Sequence, residues 1–235
     1  MNFFQRFQGI FFNPQLTLKG ISEKPLWVDA LLFLLILVSL FSFITAPYLR
    51  QDSLQIMKDN IKMQERMGED NFNRMIERLE NPSKAMVIIS SFIMTPLGIL
   101  IGFLFSSLII LVMGRFTSTE GKYIQVFAAF LHANFIDKIL GNAVRLILVL
   151  LRKSVIQTTT SLALFFPQSE VTSTAYAVMT QFDFFQLWLF GIFGYGLAHI
   201  FKIETKKALF ISYGFWLLKS LFNVALALIR MRYMG

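Results

Sequence analysis

The chain contains no cysteine, which excludes disulfides, thiol nucleophiles and cysteine-ligated metals. Histidine is almost as scarce. His132 and His199 lie far apart with no carboxylate at metal-ligand spacing, so no metal site is expected, and each is placed on a helix surface or at a helix interface. Charge is sparse too: Asp, Glu, Lys and Arg make up 15% of the residues, against about 25% in an ordinary soluble domain. No Ser/His/Asp set, pair of catalytic carboxylates or phosphate-cradling loop can be assembled, and Glu120, Glu170 and Glu204 read as isolated loop acids. The stretch "GIFGYG" (191–196) has the glycines of a nucleotide loop. It sits inside an apolar run with no strand before it, so helix packing is the better reading. These absences predict a non-enzymatic protein without cofactor. The net charge of +8 could suggest a nucleic-acid partner, but the Lys and Arg residues are scattered between apolar runs and form no basic face. A membrane surface suits them better.

What the chain has is hydrophobicity: 55% apolar residues, 27 phenylalanines and a mean hydropathy of +0.60. A hydrocarbon core of about 30 Å needs about 20 helical residues to cross it, and helices satisfy their own backbone in lipid. The expected fold is an all-α membrane protein, a five-transmembrane-helix bundle with an amphipathic N-terminal helix and a helical extramembrane segment after the first span. Residues 1–25 form the N-terminal segment, in which Phe3, Phe4, Phe7, Ile10 and Phe11 share one helical face. That face can lie in the bilayer interface or pack on the bundle.

Residues 26–235 form a single membrane domain. Its first span runs from Leu26 to Pro47, with Trp27 and Tyr48 at its ends and Asp29 in its first turn, where the helix dipole favours a carboxylate. Residues 51–84 are charged and nearly balanced in sign, and their Met57, Met63, Met67 and Met75 can fill a core or form a deformable contact surface. The second span, 85–114, is interrupted at Pro96-Leu97-Gly98, where a kink is expected. The third covers 122–151. A Ser/Thr-rich loop with a partial helix follows (152–180), and the fourth and fifth spans (181–201 and 206–229) make an antiparallel pair across a short turn. Because the long loop is almost free of Lys and Arg, the N-terminus is placed in the cytoplasm.

The third span carries charge at its centre. Asn134, Asp137, Lys138, Gly141, Asn142 and Arg145 follow i, i+3, i+4, i+7, i+8, i+11 spacing and fall on one helical face. Lys219 and Asn223 form a second polar face on the fifth span. Ionisable groups at bilayer depth are costly enough to be expected facing protein and paired. Asp137 is poorly disposed toward its sequence neighbour Lys138, which makes Lys219 its expected partner. The stripe reads as a transport or proton path, as a polar seam joining helices, or, if 122–140 lie flat with a break at Gly141-Asn142, as an interfacial helix. On the fourth span Gly191, Gly194 and Ala198 offer a small-residue face for close helix approach.

The stretch "QFDFFQLWLFGIFGYGLAHIFKIETKKALFISYGFWLL" resembles the Yip family of small polytopic membrane proteins, named for interaction with Ypt/Rab GTPases. The likeness rests on an acid-Phe-x-x-Trp opening (Asp183, Phe184 or Phe185, Trp188), glycines in the span, and a Lys-Lys/Ala-rich turn before the last helix. Asn13-Pro14 ahead of Glu23-Lys24-Pro25 and the Met-rich segment after the first span agree with it. A Gly-Gly common before the third span is absent around "TSTEGKY", as is a proline expected in "LHANFID". The resemblance, closest to bacterial-type members, implies a five-helix, non-enzymatic scaffold in the bacterial cytoplasmic membrane with a cytosolic N-terminus. Two function classes follow. One is an adaptor that binds the bilayer and other membrane proteins, for example the permease of an ABC-type exporter, or a second copy of itself. The other is a small transporter or channel using the polar stripe.

Overall fold

The computed structural model describes residues 1–156, 160–166, 171 and 173–234, with the side chains of 61–63 and of 233–234 left out. Pro167 and Glu170 of the Ser/Thr-rich loop, and the Met63 side chain, therefore lie outside the described residues. Within them the chain is helical, with a single isolated β-bridge between Ser161 and Asp183.

Helix α1 (Phe3–Phe12) starts at a reciprocal capping box. Asn2 Oδ1 accepts from the Gln5 N–H, and Gln5 Oε1 accepts from the Asn2 N–H, both at 2.9 Å. Pro14, at the first position of α2 (Pro14–Glu23), has no N–H to lose there. The phenylalanine face of α1 packs on the bundle: Phe3 and Phe7 meet Phe33 at 5.2 and 6.0 Å and Phe135 at 6.2 and 5.7 Å between ring centroids. Phe4, expected on that same face, is instead exposed, as is Phe12.

Helix α3 (Val28–Lys58) runs straight through Pro47, so the first span does not stop there as expected. A proline removes one backbone hydrogen bond, but membrane helices tolerate it because neighbouring groups take up the freed carbonyls. Helices α4 (Ile61–Met67) and α5 (Glu69–Glu80) make a hairpin, with Phe72 as the buried residue of α5. The return helix comprises α6 (Lys84–Ile89), a π-helical turn (Ser90–Met94) and α7 (Thr95–Arg115). Its interruption lies directly before Pro96, where a proline cannot join a regular ladder.

The third apolar region is divided into α8 (Tyr123–Ala133), a second π-turn (Ile136–Gly141) and α9 (Asn142–Arg152). A 3₁₀ turn (Leu162–Phe165) and α10 (Thr174–Met179) follow, then α11 (Phe184–Phe201) and α12 (Thr205–Met234).

Among the described residues, four helices are long and apolar enough to cross a membrane: Val28–Lys58, Lys84–Arg115, Phe184–Phe201 and Thr205–Arg232. The expected fifth, 122–151, consists of pieces of 11, 6 and 11 residues, none of which reaches spanning length alone. Its surroundings differ from those of the other four. Val126, Ala128, Ala129, Leu131, His132, Ala133, Phe135 and Ile136 are all fully buried, because α1, α2, α3, α7 and α11 pack around this segment. Such burial packs the segment against protein, and a helix apolar on every side is suited to the middle of a bundle. The outer helices instead expose rows of large apolar residues, such as Leu32, Ile36 and Leu40 on α3 and Ile101, Phe105 and Leu108 on α7, as a lipid-facing surface requires.

Candidate functional site: a polar cavity inside the bundle

The charged stripe lies on the second π-turn and the helix after it. A π-turn inserts an extra residue into the helical period and re-aims the side chains around it, and here Asp137 and Lys138 project from it. Asp137 is 1% exposed. Its Oδ1 accepts from Arg145 Nη2 at 2.8 Å, and its Oδ2 stands 2.7 Å from Lys138 Nζ. The two are therefore closer than the poor disposition expected of sequence neighbours. The lysine reaches Oδ2 as a close ion contact off the direction of a well-aligned hydrogen bond, which geometry on a regular α-helix would disfavour.

Arg145 organises the cluster with all its donors used. Nε donates to Thr160 Oγ1 (3.1 Å), Nη1 to Asn142 Oδ1 and to the Asp137 carbonyl (3.0 and 3.4 Å), and Nη2 to both Asp137 Oδ1 and Asp183 Oδ2 (2.8 and 3.0 Å). The guanidinium also lies over the Phe185 ring, 5.8 Å from its centroid. Asp183 does two jobs. Its Oδ1 caps α11 by accepting from the Phe185 and Gln186 N–H groups at 2.9 and 3.1 Å, while Oδ2 takes Arg145 and the Thr160 hydroxyl.

Lys219 does not pair with Asp137. Its Nζ donates to Gln186 Oε1 at 2.8 Å and lies 5.9 Å from the Phe190 ring centroid. The reason is that Arg145, held beside α11 by Asp183, already occupies the accessible oxygen of Asp137. Asn223 bonds Gln181 Oε1 at 3.1 Å. Asn134 is buried and donates to the Phe130 carbonyl of its own helix (2.8 Å), so it leaves the stripe.

Asp137, Lys138, Arg145, Lys219 and Asn223 thus line one cavity of about 300 Å³. Asp183, Gln181, Gln186, Trp216 and Ser220, none of them anticipated as site residues, complete most of the wall. Asp183 had a signal available: an acid followed by an apolar run is a helix N-cap, and a capping carboxylate is a ready partner for a buried arginine. Phe190 and Phe215 lie one helical turn from Gln186 and Lys219 toward the end of the bundle where α11 meets α12, and with Phe130 and Phe193 they form a buried aromatic layer beside the cavity (Phe130 to Phe193 5.3 Å, Phe190 to Phe215 5.9 Å). At the opposite end, the Val155 and Ile156 N–H groups donate to Asp52 Oδ2 (2.6 and 3.1 Å), and Tyr176 Oη donates to the Ile156 carbonyl (2.7 Å). Burial, and then the nearby Asp52, push the Tyr176 phenol up from its ordinary pKa.

A second buried polar group ties the N-terminus down. Arg6, 2% exposed, donates to His132 Nε2 at 3.1 Å and to the Met1 carbonyl at 2.9 Å, and pairs with Asp29. His132 is fully buried, with Nδ1 2.8 Å from the Ala128 carbonyl, so of the two expected placements it takes the helix interface. Glu120, expected to be isolated, pairs with Lys202 at 3.1 Å. Glu204 accepts the Ala208 N–H through its carbonyl. No group of three or more His, Asp or Glu residues able to hold a metal occurs among the described residues.

The small-residue face of the fourth span is filled from within. A Cβ on Gly191 would stand 2.9 Å from Tyr213 Oη, and one on Gly194 would stand 2.6 Å from Leu209 Cδ2. Across this seam Ser212 Oγ donates to the Phe190 carbonyl at 2.6 Å. Ala198 is half-buried on the same helix, its carbonyl accepting the Ile203 N–H that closes the turn to α12.

The apolar outer helices, the polar interior and the buried charges define a multi-pass α-helical membrane protein. The model of the Yip1 domain matches residues 9–227, and the chain belongs to that family. No curated protein and no solved structure shows significant similarity to it.

Proposed function

We propose that the protein is a non-enzymatic membrane adaptor, which holds a partner membrane protein against the outer face of α7. The observation behind this reading is a contrast between two glycine pairs. Gly191 and Gly194 are covered by α12, whereas Gly98 and Gly102, one turn apart on α7, have nothing within 4 Å of where a Cβ would stand. A Gly-x-x-x-Gly face in an apolar helix lets a second helix approach closely, and here it is open. Gly191 and Gly194 pack on α12, which leaves the α7 pair as the one open to a partner helix. The charged α5, with Met67, Asn71, Arg74 and Met75 around a surface groove, offers a second contact beyond the membrane. An exporter permease of the ABC type is one partner whose transmembrane helices would suit this face.

In this reading the broken helix 123–152 is the fifth crossing. Its far end meets Asp52, near the end of α3 opposite Val28. The N-terminus is cytoplasmic and the membrane is the bacterial cytoplasmic membrane. Reporter fusions after Ser118 and at the C-terminus test the topology, and a cytoplasmic signal from the C-terminus would reject it.

Photo-crosslinking from Ile101, followed by purification in mild detergent, tests the adaptor. A stoichiometric foreign membrane protein, lost on Gly98→Ile with Gly102→Ile, supports it. A crosslink only to a second copy of the chain would replace the adaptor by a homo-oligomer.

The cavity favours a second reading, a transporter. The buried aromatic residues Phe130, Phe190, Phe193 and Phe215 beside it would have to move before a solute could pass through the bundle. Solute flux into liposomes that Asp137→Asn abolishes would establish this reading over the first.

A further inference from the structure

The charges in the cavity do not balance through direct contacts. Three cations, Lys138, Arg145 and Lys219, face two carboxylates, Asp137 and Asp183. Arg145 engages both carboxylates and Lys138 engages one. Lys219 reaches only the neutral Gln186 amide, and no ion pair includes it among the described residues. An excess cation inside an apolar bundle is costly. An anion beside it would offset that cost.

The lining shows which kind of anion fits. Ser220, Asn223 and Gln186 line the cavity beside Lys219 and Lys138, residues that carry O–H and N–H donors of the kind an anion with several oxygens uses, although Asn223 Nδ2 also serves Gln181. Charge-assisted hydrogen bonds from such donors are the strong ones. The volume of about 300 Å³ lies at the small end of the roughly 300–1,000 Å³ range of ligand pockets. It is large for a halide and sufficient for a phosphate with its first substituent. Trp216 on the wall adds an amphipathic ring of the type found beside lipid headgroups, and basic pockets between membrane helices hold anionic headgroups elsewhere.

We propose that this cavity binds the phosphate group of an anionic ligand, a phospholipid headgroup or a free phosphate, with Lys219 and Lys138 as its cationic contacts. Occupancy would join the π-turn, α11 and α12 through one ligand.

The test uses the purified full chain in a neutral detergent at fixed ionic strength, titrated calorimetrically with dihexanoyl phosphatidylglycerol, dihexanoyl phosphatidylcholine and inorganic phosphate. Saturable binding of phosphatidylglycerol, stronger than that of phosphatidylcholine, is expected if the source is a lipid. Binding of inorganic phosphate alone assigns the site to a free anion and equally supports the proposal. Lys219→Met should weaken binding roughly tenfold or more, the size of one lost charge-assisted contact. Lys219→Arg should retain it, and Arg230→Gln, at an exposed position on α12 away from the cavity, should leave it unchanged. Should Lys219→Met fail to fold, Lys138→Gln, whose side chain is 27% exposed, provides the same measurement. The proposal is overturned if no probe saturates, if the lysine variants bind like the parent, or if Arg230→Gln weakens binding as much as they do.

Discussion

Two of the helices are broken by a π-turn, and they behave as opposites. The segment Lys84–Arg115 is apolar throughout and is the outer wall of the bundle, with Ile93, Leu97, Ile101 and Phe105 exposed. The segment from Tyr123 to Arg152 carries Asp137, Lys138 and Arg145 and lies at the centre, with residues 126–137 buried. In water the order would be reversed. Where the surrounding solvent is hydrocarbon, apolar surface gains nothing by hiding from it, so burial goes to the groups that need partners: charges, amides and a histidine. The π-turns serve different ends accordingly. The outer one accommodates Pro96, and the inner one aims an aspartate at an arginine.

The comparison breaks most severely if the inner helix loses its charge balance. Asp137→Leu leaves Arg145 and Lys138 facing each other, and should cost about 3–5 kcal/mol, as removal of one partner from a buried ion pair does, seen as a collapse in folded yield by fluorescence-detected size exclusion. Pairing it with Arg145→Leu should recover part of the loss. Combining it with Lys219→Leu should not, because Lys219 bonds Gln186 instead; recovery in that second double mutant would restore Asp137–Lys219 as the operative pair.

The Arg6 anchor comes next. Arg6→Met strips His132 and the Met1 carbonyl of their donor and Asp29 of its counter-ion, a loss of about 1–3 kcal/mol expected from an unsatisfied buried polar group. It should lower the melting temperature and make the N-terminal helix accessible to protease. Full protection of residues 1–25 in that variant would show that the phenylalanine face alone holds α1.

A smaller and sharper contrast uses the glycines. Gly194→Val pushes into Leu209 and should destabilise by about 1–3 kcal/mol through overpacking. Gly98→Val on the open face should stay within about 0.5 kcal/mol while reducing partner capture. Equal melting temperatures for the two would erase the distinction between a filled and an open face. Smallest of all is Lys58→Ala. Its pair with Glu80 joins the end of α3 to the hairpin at 2.6 Å, with side chains 53% and 44% exposed, and exposed pairs are worth about 0.2–1 kcal/mol.

Much of this was legible in the amino acids alone, and the reason is that lipid imposes simple rules. Length and hydropathy mark out helices near 26–47, 85–114, 181–201 and 206–229, because a crossing helix must be long and apolar whatever it packs against. The Lys-rich turn at 202–207 makes the last two an antiparallel pair. The requirement that buried charges face protein assigns Asp137, Lys138 and Arg145 to the interior before any coordinates. The sequence by itself determined the class of protein, its main helices and the residues worth suspecting. Tertiary structure alone decided the partners. Whether Asp137 meets Lys138, Arg145 or Lys219 depends on a π-turn that no periodicity announces and on Asp183, distant in sequence, which holds Arg145 in place. Whether a glycine pair is a seam or a vacant face depends on which helix stands opposite, and residue spacing along one helix contains no information about its neighbour.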